Sequence, residues 1–297
     1  MKTGRAATVP PPSQGRMEYR GSPLLVSNPD YSLEPVQPAV PIAAWRGGEK
    51  NLARRIVERV EAIPHICYAE PFVGMGGVFL RRRRRPKSEI VNDIDAAVVN
   101  VFRIMRGHPA ELGRQFDGSV SSRAEFRSLL ESPPAVLPDV QRAARFAYIQ
   151  RLSYGGRPAT EATPGQFGPS PQEPARYSVN RMRQLVETAH MRLQGVHVEC
   201  LEWDAFILRY DRPHTLFYVD PPYFGFENEC GRGLFARANY ARMAVILGDL
   251  RGRFILSIND VPEIREIFAG FTIEPVTTRY STHARDQKNA AELLICG

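Results

Sequence analysis

A carboxylate, two prolines and an aromatic ring stand in a row at Asp220-Pro221-Pro222-Tyr223. The residues before them, Thr215-Leu216-Phe217-Tyr218-Val219, are apolar enough for a buried strand. The four therefore leave a strand at its C-terminal end, where open α/β sheets bind ligands. Two successive prolines remove two backbone donors and fix φ, so the local carbonyls face outward without amide competition. The result is a small acceptor site, the Asp220 carboxylate plus the Pro221 carbonyl, beside the flat face of Tyr223. Such a site suits an amine on a planar ring; a rigid strand exit is the plainer alternative. A second cluster lies far upstream, at Glu70-Pro71-Phe72-Val73-Gly74-Met75-Gly76-Gly77. Glycines after a strand let the backbone turn tightly and approach a ligand, while the amides of a following helix favour anions. The spacing is G-x-G-G and not the dinucleotide fingerprint, which disfavours NAD. Asp93 ends the next expected strand, where a ribose-binding acid sits in such folds; a surface carboxylate is the bland reading.

Elements of an α/β sheet must carry these residues. Leu52, Ile56, Val60 and Ile63 repeat at helical spacing, which predicts a helix over 52–62. A strand over 65–69 leads into the glycine turn and a further helix, and a strand over 89–92 ends on Asp93. Helices are expected at 96–105, 109–116, 123–130, 140–152 and 240–250, and strands at 197–201, 215–219, 254–258 and 293–296. Strand, glycine turn, helix, strand, acid is the opening of a doubly wound sheet. Residues 155–177 hold five prolines and few apolar anchors. A loop that long inside a compact protein is usually functional or disordered. The expected organisation is a flexible proline-rich tail over 1–41, a cofactor-binding part over 42–105, a target-recognition insertion over 106–195 and a catalytic part over 196–297.

The chain has 297 residues, 39 Lys+Arg against 32 Asp+Glu, and 43% apolar content, enough for a core. The net charge of +7 permits a polyanionic partner without requiring one. The Arg81–Arg85 run reads as a solvated helix end in preference to a nucleic-acid patch. Cys67, Cys200, Cys230 and Cys296 lie far apart, and the six histidines show no ligand spacing, so neither a metal nor a disulfide framework is expected. The N-terminus lacks an apolar signal core and no long apolar run spans a membrane, so a cytoplasmic protein is expected.

Together the motifs resemble the Dam-like family of DNA adenine-N6 methyltransferases, especially its phage-type branch. The likeness runs over roughly residues 42–296. It is carried by Trp45-Arg46-Gly47-Gly48, the Glu70–Gly77 turn, Asn92-Asp93-Ile94-Asp95, Asp220-Pro221-Pro222-Tyr223, Leu256-Ser257-Ile258-Asn259-Asp260 and Glu292-Leu293-Leu294-Ile295. The resemblance implies a Rossmann-like S-adenosylmethionine-dependent methyltransferase sheet with an inserted, mostly helical and loop target-recognition region. It implies cofactor contacts from Trp45, Gly47, Gly48, Lys50, Glu70, Pro71, Phe72, Gly74 and Gly76. Asp93 would hold the ribose and Asp204 would face the adenine. Asp220 would stand between the methyl donor and the target amine, and no metal is called for. The family's lysine after the two glycines is Glu49 here; either Lys50, one step later, takes over its contact or that contact is lost.

Adenine's exocyclic amine is conjugated and a poor nucleophile. Hydrogen bonds to Asp220 and Pro221 would direct its lone pair for in-line attack, with Pro222 fixing the turn. The base must be flipped out of double-stranded DNA, with Tyr223 and Phe224 replacing lost stacking. Arg145, Arg151 and Arg157 are candidates for phosphate and groove contacts, on a protein expected to act as a monomer. Cytosine-N4 methylation, whose sites more often begin with serine, and a non-catalytic cofactor-binding DNA protein are the alternatives.

Overall fold

The computed structural model describes residues 29–45, 50–156, 165–169, 175–227, 235–279 and 289–297, side chains excepted at 50, 51, 277–279, 289 and 290. The chain divides after Asp30, and every element described belongs to Tyr31–Gly297. The strands are β1 Glu34–Pro35, β2 Cys67–Glu70, β3 Arg84–Arg85, β4 Ser88–Asn92, β5 His197–Glu199, β6 Thr215–Val219, β7 Arg253–Asn259, β8 Thr272–Arg279 and β9 Asn289–Cys296. The α-helices are α1 Lys50–Ala62, α2 Ala96–Gly107, α3 Pro109–Gln115, α4 Arg123–Glu131, α5 Asp139–Leu152, α6 Val179–Arg192, α7 Trp203–Tyr210, α8 Ala238–Gly248 and α9 Pro262–Ile267.

Seven strands form one sheet in the order β5-β4-β2-β6-β7-β9-β8. The first five are mutually parallel, and β9 runs antiparallel between β7 and β8. The chain steps outward from β2 through β4 to β5, then returns to β6 on the other side. That reversal opens a crevice at the C-terminal ends of β2 and β6. Alternation along the strands supplies a core on each face. Leu216, Tyr218 and Ile255 join a cluster with α1, α2, α5 and α6. Phe217, Val219, Phe254 and Leu256 join another with α7, α8 and α9. This is the expected Rossmann-like α/β architecture.

Local chemistry explains the ends of several helices. Leu52, Ile56 and Val60 of α1 are buried at i, i+4 and i+8 while Arg54 pairs with Glu58 outside. Asp95 caps α2 by accepting from the Ala97 amide, and Ser122 caps α4 by accepting from Glu125. The helices α3 to α6 give residues 106–195 the helical character expected of them.

Three expectations change. Residues 31–41 are not part of a flexible tail: β1 pairs with β3, and Ala39 and Ile42 are buried. The helix expected after the glycine turn is a single 3₁₀ turn at Phe79–Arg81, since only a few residues separate the turn from β3. The Arg81–Arg85 run is no solvated helix end. Arg82 is fully buried, and Arg84–Arg85 form β3.

Candidate active site

The glycine turn begins where β2 delivers Glu70. Gly74 and Gly76 adopt φ of +47° and +76°, and a Cβ on Gly74 would come within 2.8 Å of the Trp45 indole. Any larger residue would both strain the backbone and displace Trp45. Asp93, just beyond β4, accepts from the Gly74 amide at 2.9 Å and from the Asp95 amide at 3.0 Å. Burial nonetheless pushes its pKa up to about 7. Asn92 ties the neighbouring loops together. Its amide donates to the carbonyls of Pro71 and Leu201, both at 3.0 Å, and its oxygen accepts from the Leu201 amide at 2.8 Å. The turn, Asp93 and the end of β5 are thus one hydrogen-bonded unit.

Asp220 leaves β6 on the same edge. The Ser257 hydroxyl donates to its Oδ1 at 2.8 Å, and the Tyr218 hydroxyl lies 2.8 Å from Ser257 Oγ. With Ser257's proton committed to Asp220, Tyr218 must donate to Ser257. Burial raises the Asp220 pKa to about 7; the Ser257 bond opposes this and the buried Glu292 adds to it. Glu70 is buried too. It accepts from Tyr68 at 2.7 Å and is pushed up to about 8 by burial, with a smaller push from Asp220. Beyond the prolines, Asn259 accepts the Phe224 amide at 2.8 Å and donates to the Phe224 carbonyl at 3.1 Å. Tyr240 donates to the Pro222 carbonyl at 2.9 Å. The Asp220–Phe224 segment is therefore pinned from β7 and α8 as well as by its own prolines.

Beside this edge, Phe72 stacks on Trp203 with ring centres 6.4 Å apart and meets Phe235 edge-on at 5.9 Å. Asp204, in the first turn of α7, forms an ion pair with Arg242, which also lies over Trp203. On the other side of the turn, Trp45, Met75, Arg81 and Arg151 line a cavity of about 220 Å³. Among the described residues, no group of three or more His, Cys, Asp or Glu side chains could hold a metal.

The fold therefore brings together Trp45, Glu70, Pro71, Phe72, Gly74, Gly76, Asp93 and Asp220–Phe224 at one sheet edge. Gly47, Gly48 and Arg157, and the side chain of Lys50, lie outside the described residues. Two candidate DNA contacts also bond within the fold. Arg145 donates to the carbonyls of Leu129 and Leu130 at the end of α4. Arg151 donates to those of Arg176 and Ile42. Sequence reasoning gave no separate role to Tyr218, Ser257, Asn259 or Tyr240. A serine inside the apolar run 254–258 was a legible signal, because a buried hydroxyl needs a partner. Nothing local marks Tyr240.

A doubly wound sheet ending in a reversed hairpin, with a glycine turn and an acid-Pro-Pro-aromatic exit across its crevice, defines an enzyme of the methyltransferase class. The profile of the D12 class N6 adenine-specific DNA methyltransferases matches residues 45–282, and the chain belongs to this family. It is an adenine-specific methyltransferase acting on DNA. Among its relatives is the Type II methyltransferase M1.LlaDCHI of Lactococcus lactis subsp. cremoris, 23% identical over 284 residues, 86% of this chain and 94% of that protein. The crystal structure of Pyrococcus horikoshii PH1948, to which an RNA methyltransferase activity has been ascribed, is 8% identical, covers 83% of this chain and 80% of its own, and superposes with a TM-score of 0.37. No helix among the described residues is long and apolar enough to cross a membrane.

Proposed function

We propose that the protein methylates N6 of an adenine flipped out of duplex DNA at a defined base sequence, with S-adenosylmethionine as methyl donor. One observation carries the reading: Asp220, leaving β6 beside β2 and its glycine turn, has one carboxylate oxygen already held by Ser257. The other oxygen is then the acceptor for a substrate amine.

The donor set suits this cofactor. Phe72 and Trp203 offer an aromatic wall for its adenine, and Asp93 offers a carboxylate for ribose hydroxyls. Arg242 already engages Asp204, so the aromatic pair is the better adenine partner. S-adenosylmethionine would supply a methyl group on a sulfonium, to which an amine can be directed. Asp220 and the Pro221 carbonyl orient the amine, and the pinned Pro221–Phe224 segment keeps those acceptors in place without reorganisation. Tyr223 and Phe224 offer rings to the extruded base. Methylation leaves a surplus proton on the amine nitrogen, and a carboxylate held near pKa 7 can take it. Arg145, Arg151 and Arg157 stay the candidate DNA contacts; Arg145 and Arg151 also donate to backbone carbonyls.

The similarity to a Type II methyltransferase supports a role in restriction–modification, and the protein would act as a cytoplasmic, nucleoid-associated monomer. The test is transfer of labelled methyl groups to unmethylated duplex DNA, followed by nucleoside analysis. Wild type is expected to yield N6-methyladenine, and Asp220→Ala to lose at least about 1,000-fold in rate. Label recovered as N4-methylcytosine would replace the adenine assignment, and absence of transfer by wild type would refute the reading.

A further inference from the structure

The cavity beside the glycine turn is walled by Pro41, Ala43, Trp45 and Met75, and two cations reach it, Arg81 and Arg151. Both guanidiniums are partly buried. Arg81 donates to the Gly77 carbonyl at 2.5 Å, and Arg151 to those of Arg176 at 2.6 Å and Ile42 at 3.4 Å. A guanidinium carries five N–H donors, so these bonds leave donors on both. Neither forms an ion pair with a carboxylate among the described residues, unlike Arg82 and Arg192 nearby. Burial lowers the pKa of each, and Arg151 is lowered further by Arg181 and Arg176. Two partly desolvated cations lining one small cavity make it a favourable place for an anion. Apolar walls restrict that anion to one carried on a short aliphatic stem. Met75 and Gly77 belong to the glycine turn and Trp45 lies against Gly74, so the cavity borders the turn.

We propose that Arg81 and Arg151 clamp the carboxylate at the amino-acid end of the cofactor, an inference that rests on the S-adenosylmethionine reading above. The clamp places positive charge in the pocket in a chain that has Glu49 directly after Gly47-Gly48.

Equilibrium calorimetry on the full chain tests this with two nucleosides. S-adenosylhomocysteine carries the carboxylate; S-adenosyl-3-thiopropylamine lacks only that group. Arg81→Met is expected to weaken the first about 10–100-fold, the range for losing a charge-assisted bond, and to change the second less than about twofold. Arg81→Lys should recover part of the loss, and Arg151→Met should repeat the pattern of Arg81→Met. Equal weakening of both ligands, or of neither, overturns the clamp. Should wild type bind neither nucleoside, the cofactor reading itself falls, an outcome separable from loss of selectivity alone.

Discussion

Two groups of buried or half-buried acids sit on the same sheet and are treated in opposite ways. Glu89, on β4, is enclosed by cations. Arg82 reaches it at 2.8 Å, and Arg192 from the end of α6 grips both its oxygens at 2.7 Å. Arg82 also lies over the Tyr68 ring at 3.9 Å and Arg192 over Phe79 at 4.1 Å. Glu70, Asp93 and Asp220 have hydroxyl or amide donors and no arginine in contact, and all three are pushed well above the carboxylate range. A neutralised buried acid ties elements together, here β4 to helix α6. An uncompensated one stores unfavourable electrostatics at the place where a cationic or proton-bearing partner must come.

The sharpest way to break this contrast is to remove each acid and weigh stability against activity. Glu89→Ala strands two buried guanidiniums and should cost about 3–5 kcal/mol in urea denaturation, whereas a loss under about 1 kcal/mol would mean that Glu89 is not the keystone.

Asp220→Asn should act in the opposite sense. Its folded-state pKa lies above its unfolded value, so between pH 4 and 7 the folded state holds the extra proton and stability declines as pH rises. At pH 8 the variant should therefore be more stable than wild type, by about 1–2 kcal/mol given partial solvent screening, with the two converging near pH 4. Thermal melts across that range would show it, and a wild type that gains stability from pH 4 to 8 relative to the variant would contradict it.

The smallest effect concerns how Asp220 is held. Ser257→Ala removes the hydrogen bond that opposes its raised pKa. Methyl transfer should fall about tenfold, a loss near 1.4 kcal/mol, and the acidic limb of the pH–rate profile should move to higher pH. Ser257→Thr, which keeps the hydroxyl, should restore the limb. An unshifted limb in the alanine variant would reduce Ser257 to packing.

The reading of individual elements followed how local their causes were. The strand over 215–219 and the helix starting near Leu52 came directly from apolar runs and periodicity. So did the turn at Gly74, whose φ only glycine adopts without strain. Helix α6 is not among the expected elements, although Met182, Leu185, Val186 and Ala189 stand at helical spacing and are buried. The arginine run was misread because sequence shows charge but not what encloses it. Arg82 finds Glu89 seven residues on, yet the second guanidinium arrives from Arg192, 103 residues away from Glu89. Likewise the sequence does not show that Arg145 and Arg151 also donate to carbonyls at helix and loop ends.

The sequence by itself determined the chemistry on offer: a glycine turn after one strand, an acid-Pro-Pro-aromatic exit from another, and the family to which they point. These are short-range features in which neighbouring residues set the backbone. Only the tertiary structure decided which charges are neutralised and which are left waiting. That depends on parallel pairing that sets β6 between β2 and β7, so that Ser257 meets Asp220 and Glu70 lies near it. Desolvation is a property of everything packed around a group, and no stretch of chain carries it alone.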